Sequence, residues 1–182
     1  SHAEEIVAAE TKRDFDATIQ LGRLLSQAEV TQKAEAFLKM HRLENKISIV
    51  WSASFVSRAT ITKDTLKLKS LAQFRERETA GMLFHEIGTH ALRQVNYEQQ
   101  FWYRKKKKNG FGSYLETEEG LATLHSLFPL ENKSLYRSAL RYLAVNTSQT
   151  HSFAQLWEFL TPHIIDEEER WMVTLRQKRG LT

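Results

Sequence analysis

The chain has 182 residues, 41% hydrophobic and 26% charged, with a formal net charge of +4 and no cysteine. That length and mixture suit one globular domain around a single core. They exclude disulfides, thiolate metal ligands and a cysteine nucleophile, and no apolar run is long enough to span a membrane as a helix.

Ser1-His2 reads as an expression scar and is set aside, leaving one domain over 3–182. The first third has helical periodicity: Ile19, Leu21, Leu24 and Leu25 mark one apolar face, and Ala34, Phe37, Leu38 and Met40 another. Ile47 to Phe55, "ISIVWSASF", is β-branched and aromatic and predicts a strand. Ala59 to Ser70 alternates on both sides of Lys63-Asp64, the pattern of a hairpin. From Leu71 to Asn96 the pattern is helical again, and "NGFGSY" from Asn109 breaks it. Thr117 then reads as the N-cap of a helix beginning E-E-G-L-A. Three further helices are expected over 134–145, 152–163 and 166–178, with Ser152 and Asp166 as caps. The fold class is α+β, mostly helical, with a small β element ahead of the third helical segment.

That segment contains "HEIGTH", His85 to His90. On a regular helix, residues five apart point about 140° away from each other, so the two imidazoles would be splayed. A π-type widening would bring them together, and Gly88, with its low helix propensity, would tolerate it. With no cysteine, a metal must be held by His, Asp or Glu, and a catalytic zinc takes three such ligands. Glu119 qualifies as the third, because it opens the next helix beside Glu118 and the two carboxylates point in different directions. Glu86 would then be free to act on a water. The residues alone leave this reading level with a plainer one, in which His85 and His90 make polar contacts and the Glu pair complements a helix start.

"HEIGTHALRQVN" followed by "TEEGLATLHSLF" resembles the microtubule-associated tyrosine carboxypeptidase family, whose bacterial relatives carry Q-E-G-L-A at the second motif. The likeness is strongest from His85 to Phe128, weakens through Asn96 to Glu116, and resumes more faintly towards "RWMVTLRQKRGLT". Family members usually continue beyond that point. The resemblance implies a zincin-like metallopeptidase domain holding one Zn2+ on His85, His90 and Glu119, with Glu86 as general acid/base. It further implies removal of the C-terminal tyrosine of α-tubulin. The α-tubulin tail and microtubules would then be its partners and the cytoskeleton in the cytoplasm its location.

Other residues are open to more than one role. His125 is a candidate oxyanion donor or a support behind the metal ligands. Arg93, Lys178 and Arg179 are candidates for the substrate's terminal carboxylate, against a surface ion pair as the plainer role of Arg93. Arg104, Lys105, Lys106, Lys107 and Lys108 form a basic run suited to an acidic tail, against a solvated loop as the plainer reading. Nucleic acid would satisfy the same charges, but the metal motifs give no reason to prefer it. Two alternatives stand beside the tubulin enzyme: a basic binding module with structural or no zinc, and a peptidase of the same chemistry with a different substrate.

Overall fold

The computed structural model describes residues 1–10, 22–131 and 133–179. It is α+β and mostly helical, and the chain divides into two compact units, Asp16–Lys133 and Ser1–Phe15 with Ser134–Thr182. No helix among the described residues is long and apolar enough to cross a membrane.

In the first of these units, β1 (Leu24–Leu25) leads into α1 (Gln27–Met40). A capping box starts that helix: Ser26 Oγ accepts from the Glu29 N–H while Glu29 accepts from the Ser26 N–H. Val30, Ala34, Phe37 and Leu38 are buried, an i, i+4, i+7, i+8 stripe. Met40, expected on that face, is 69% exposed, because it closes the last turn before Arg42 reverses the chain at φ 57°. Leu24 and Leu25 are also not helical. Gly22, at φ 75°, precedes them, and they pair antiparallel with β5 (Phe74–Arg75). Ile19 and Leu21 lie outside the described residues.

The sheet follows from alternation. β2 (Ser48–Ser52), β3 (Ala59–Thr62) and β4 (Thr65–Lys69) form a three-stranded sheet in the order β2-β4-β3. Central β4 runs parallel to β2 and antiparallel to β3, and buries Leu66 and Leu68 completely. Thr62 faces Thr65 across the expected Lys63-Asp64 turn, where Lys63 takes φ 54°. Trp51 donates its indole N–H to Thr31 on α1 at 3.0 Å, and its ring meets Phe74 edge-on. The sheet therefore does precede the HEIGTH helix and shares a core with it through Leu83, Ile87 and Ala91.

That helix, α2 (Glu76–His85), starts later than the sequence suggests, because Leu71 to Arg75 is spent on a turn and on β5. It runs into a π segment (Glu86–Ala91) and then α3 (Leu92–Glu98). A short 3₁₀ turn over Lys107–Asn109 precedes α4 (Leu115–Ser126). Thr117 is inside α4 and does not cap it. The Glu118 N–H already bonds the Tyr114 carbonyl at 2.9 Å, so the helix winds from Tyr114. α2 and α4 approach closely at Gly81, where a Cβ would meet the Ser126 carbonyl oxygen at 2.5 Å.

The other unit comprises α5 (His2–Glu10 in sequence, the N-terminal helix), α6 (Tyr136–Ser148), α7 (Phe153–Leu160) and α8 (Glu167–Lys178). Val7 joins Ala139, Leu140, Leu143, Ala144, Leu156, Leu160 and Ile164 in a second core. Ser152 and Asp166 cap α7 and α8 as expected, accepting from the Gln155 and Glu169 N–H groups.

Candidate active site

The HEIGTH segment departs from α-helical geometry at the point the spacing demands. From Glu86 to Ala91 the backbone is a π-helix, in which residues five apart stack on one another. His85 and His90 thus come together, with Nε2 atoms 3.3 Å apart and ring centroids 5.0 Å apart. Space is not what requires glycine at position 88. A Cβ there would make ordinary contacts with Phe84 and Phe37 at 3.6 and 3.7 Å. Its weak helix propensity is the remaining physical reason.

The wide turn is braced from behind. Thr89 Oγ1 donates to the Phe84 carbonyl at 3.1 Å and lies 2.7 Å from His125 Nδ1. A hydroxyl has one hydrogen, so His125 must carry its proton on Nδ1 and donate it to Thr89. His125 therefore contacts the back of the π turn, and it is absent from the residues lining the cleft in front.

α4 supplies the opposite side. Glu119 Oε2 is 3.9 Å from His85 Nε2, and its Oε1 is 3.7 Å from His90 Nε2. His85, His90 and Glu119 each offer one ligand atom, all within 4.8 Å of one another. Two nitrogens bound at about 2.05 Å to a tetrahedral zinc would stand about 3.4 Å apart, so the imidazole pair matches that donor geometry. The neighbouring Glu118 turns the other way and is 6% exposed. It accepts from His90 Nδ1 at 2.7 Å and from Arg93 Nε at 2.9 Å, and a terminal nitrogen of Arg93 completes the ion pair at 2.9 Å. Because a carboxylate only accepts, His90 has its proton on Nδ1 and turns the Nε2 lone pair towards His85 and Glu119.

Glu86 is almost fully buried yet lines the same cleft. Its Oε2 accepts the Ile61 N–H at 2.9 Å. Lys69 N–H donates to Arg58 O, and ladder alternation then puts Thr60 and Thr62 in bonded pairs and turns the Ile61 amide outward. An edge-strand amide with no β partner thus fixes the carboxylate. The cleft encloses about 810 Å³ between β3, the π segment and residues Ser113 to Glu119.

The sequence profile of the microtubule-associated tyrosine carboxypeptidase family matches residues 2–182. The chain belongs to this family. It is 32% identical to microtubule-associated tyrosine carboxypeptidase 1 of Rattus norvegicus and 33% identical to that of Mus musculus, each over 94% of the chain and 38% of the relative. The protein of that name in Homo sapiens is 32% identical over 88% of the chain and 35% of its own length. The chain therefore spans about a third of the length of the curated relatives it matches.

In this member of the tyrosine carboxypeptidase family, the remaining basic candidates fall in separate places. Arg93 lines the cleft, but Glu118, Gln94 and the Tyr114 hydroxyl occupy its donors. None of Arg104 to Lys108 lines it. Lys106 lies over the rings of Tyr97 and Tyr114, at 4.1 and 3.2 Å from their centroids, and Arg104 lies over Tyr103. Lys105, Lys107 and Lys108 are exposed. Lys178 belongs to the other unit, where its ammonium donates to the Ser148 and His151 carbonyls at the end of α6, and Arg179 caps α8. Sequence reasoning passed over Lys63, Tyr114 and the β3 edge, all of which line the cleft. Alternation around Lys63 marked the hairpin, but nothing local marked what the strand would face.

Proposed function

We propose that the chain is the zincin-like catalytic part of a zinc-dependent carboxypeptidase that removes the C-terminal tyrosine of α-tubulin. The observation that carries this reading is the pair of imidazole Nε2 atoms 3.3 Å apart across the π turn, facing the Glu119 carboxylate. His85, His90 and Glu119 would hold the ion, which supplies Lewis acidity for the scissile carbonyl and a water acidified towards neutrality.

Glu86 performs the proton work. The Ile61 amide holds its Oε2, so Oε1 remains to take a proton from the attacking water and deliver it to the departing amine. Glu118 keeps His90 in the tautomer that a ligand needs. The names of the relatives point to tyrosine as the released residue and to microtubules as the setting. The exposed cations of the Arg104 to Lys108 run would favour approach of a glutamate-rich tail.

Tyrosine release from α-tubulin and from matching C-terminal peptides, with metal content measured in parallel, tests the proposal. Glu86→Gln should retain the metal and lose activity by about 10²-fold or more. Equal activity in the variant, or none in metal-loaded parent protein, would refute it. Release from peptides but not from tubulin would shift the substrate while leaving the chemistry in place.

A further inference from the structure

The cleft is rich in acid. Glu86, Glu118 and Glu119 line it, and the cations among its lining residues are Lys63 and Arg93. Arg93 is engaged by Glu118, whose side chain is buried. Lys63 is exposed and makes no ion pair or hydrogen bond among the described residues. Lys63 is therefore the cation lining this cleft that no protein group holds among the described residues, and it is open to a carboxylate of an entering peptide.

The backbone at Lys63 adds an independent observation. It takes φ 54° in the two-residue turn between Thr62 and Thr65. Such turns favour Asn, Asp or Gly at left-handed positions, and a lysine there carries a conformational cost that glycine would not. The turn residue that local propensity disfavours is also the residue that reaches the cleft. Position agrees with this. Ile61 is pinned to Glu86, and Lys63 lies two residues further along, in the turn just beyond β3. Both line the same cleft as His85, His90 and Glu119, so Lys63 borders the space that a substrate peptide would occupy.

We infer that Lys63 is the receptor for a carboxylate of the substrate peptide, borne either by its C-terminus or by an acidic side chain just upstream. This inference rests on the peptidase reading of the same cleft. It adds the residue that selects an acidic chain end.

The test measures peptide binding by fluorescence anisotropy in Glu86→Gln protein, where turnover is suppressed and glutamine still offers the Ile61 amide an oxygen. Three labelled peptides serve as probes. One ends in two glutamates and a tyrosine, a second has glutamines in place of the glutamates, and a third is the first with its C-terminus amidated. Adding Lys63→Gly should weaken binding of the first peptide by about fivefold, the scale of a partly exposed charged contact, and Lys63→Arg should restore it. Glycine accepts the positive φ, so the thermal midpoint should hold or rise. Lys63→Gln, which keeps an unfavourable φ and loses only the charge, should weaken binding equally.

If the loss vanishes with the amidated peptide, Lys63 reads the chain terminus. If it vanishes with the glutamine peptide, Lys63 reads the side chains. Equal affinity of parent and variants for every peptide overturns the inference, as does a loss of the same size for all three. Tyrosine release by protein with Glu86 intact is scored separately. The peptidase reading can therefore stand when the assignment of Lys63 falls: a parent that binds none of the peptides overturns the assignment, while tyrosine release decides the peptidase reading.

Discussion

Replacing Glu118 by alanine should damage the site although Glu118 is not among the three candidate ligands. The carboxylate accepts hydrogen bonds from His90 Nδ1 at 2.7 Å and from Arg93 Nε at 2.9 Å, and a terminal nitrogen of Arg93 pairs with it at 2.9 Å. Breaking a buried ion pair on one side costs about 3–5 kcal/mol. Arg93 is 34% exposed, so water recovers part of that, and a stability loss of about 2–3 kcal/mol is expected. His90 also loses the acceptor that holds its proton on Nδ1. Loss of such outer partners weakens metal binding by about 10–100-fold. Glu118→Gln keeps one oxygen acceptor and should cost only about 1 kcal/mol, with metal affinity within a few-fold of the parent. Urea unfolding gives the stability term, and competition with a chromophoric chelator gives the affinity. Tight metal binding by Glu118→Ala, or identical behaviour of the alanine and glutamine variants, would refute the reasoning.

Gly81→Ala should lose about 1–3 kcal/mol of stability, because the new Cβ would meet the Ser126 backbone carbonyl at 2.5 Å and neither partner is a flexible side chain. An unchanged thermal midpoint would show that α2 and α4 can separate at no cost. Burial holds His163 below its ordinary value of 6.5. The unfolded chain therefore binds more protons between the two values, and stability rises with pH across that window. The unit containing α6 to α8 should lose stability as pH falls below about 6.5. The part of that slope due to His163 should be absent in His163→Gln, and parallel slopes in a pH series of unfolding curves would count against it.

The features legible in the sequence are those that local spacing enforces. Five-residue separation of His85 and His90 called for a widened turn, and the π segment over Glu86–Ala91 supplies one. Alternation on either side of Lys63-Asp64 gave the hairpin, while Ser152 and Asp166 announced their helices through side-chain caps. Where tertiary contacts override propensity, local reading failed. Leu24 and Leu25 have helical company in sequence but pair with Phe74 and Arg75, fifty residues away. Thr117 has the chemistry of a cap, yet α4 winds one turn earlier because Tyr114 supplies the first carbonyl and is itself held under Lys106 and Arg93. Adjacent glutamates at 118 and 119 were visible as a pair. Their division between Arg93 with His90 on one side and the cleft on the other emerges only when the π segment packs against α4.

The strand β3 is fastened to the helix beside it at two places, through the Arg58–Glu78 ion pair and the Ile61–Glu86 hydrogen bond. Strand and helix therefore form one stiff jaw that carries His85, Glu86 and the hairpin tip together. The facing wall, where Ser113 and Tyr114 lead into α4, is tied to the same helix in turn, through the Glu118–His90 contact and the close approach at Gly81. The cleft is thus walled on both sides by elements anchored to one helix, so a displacement of that helix would shift both walls together.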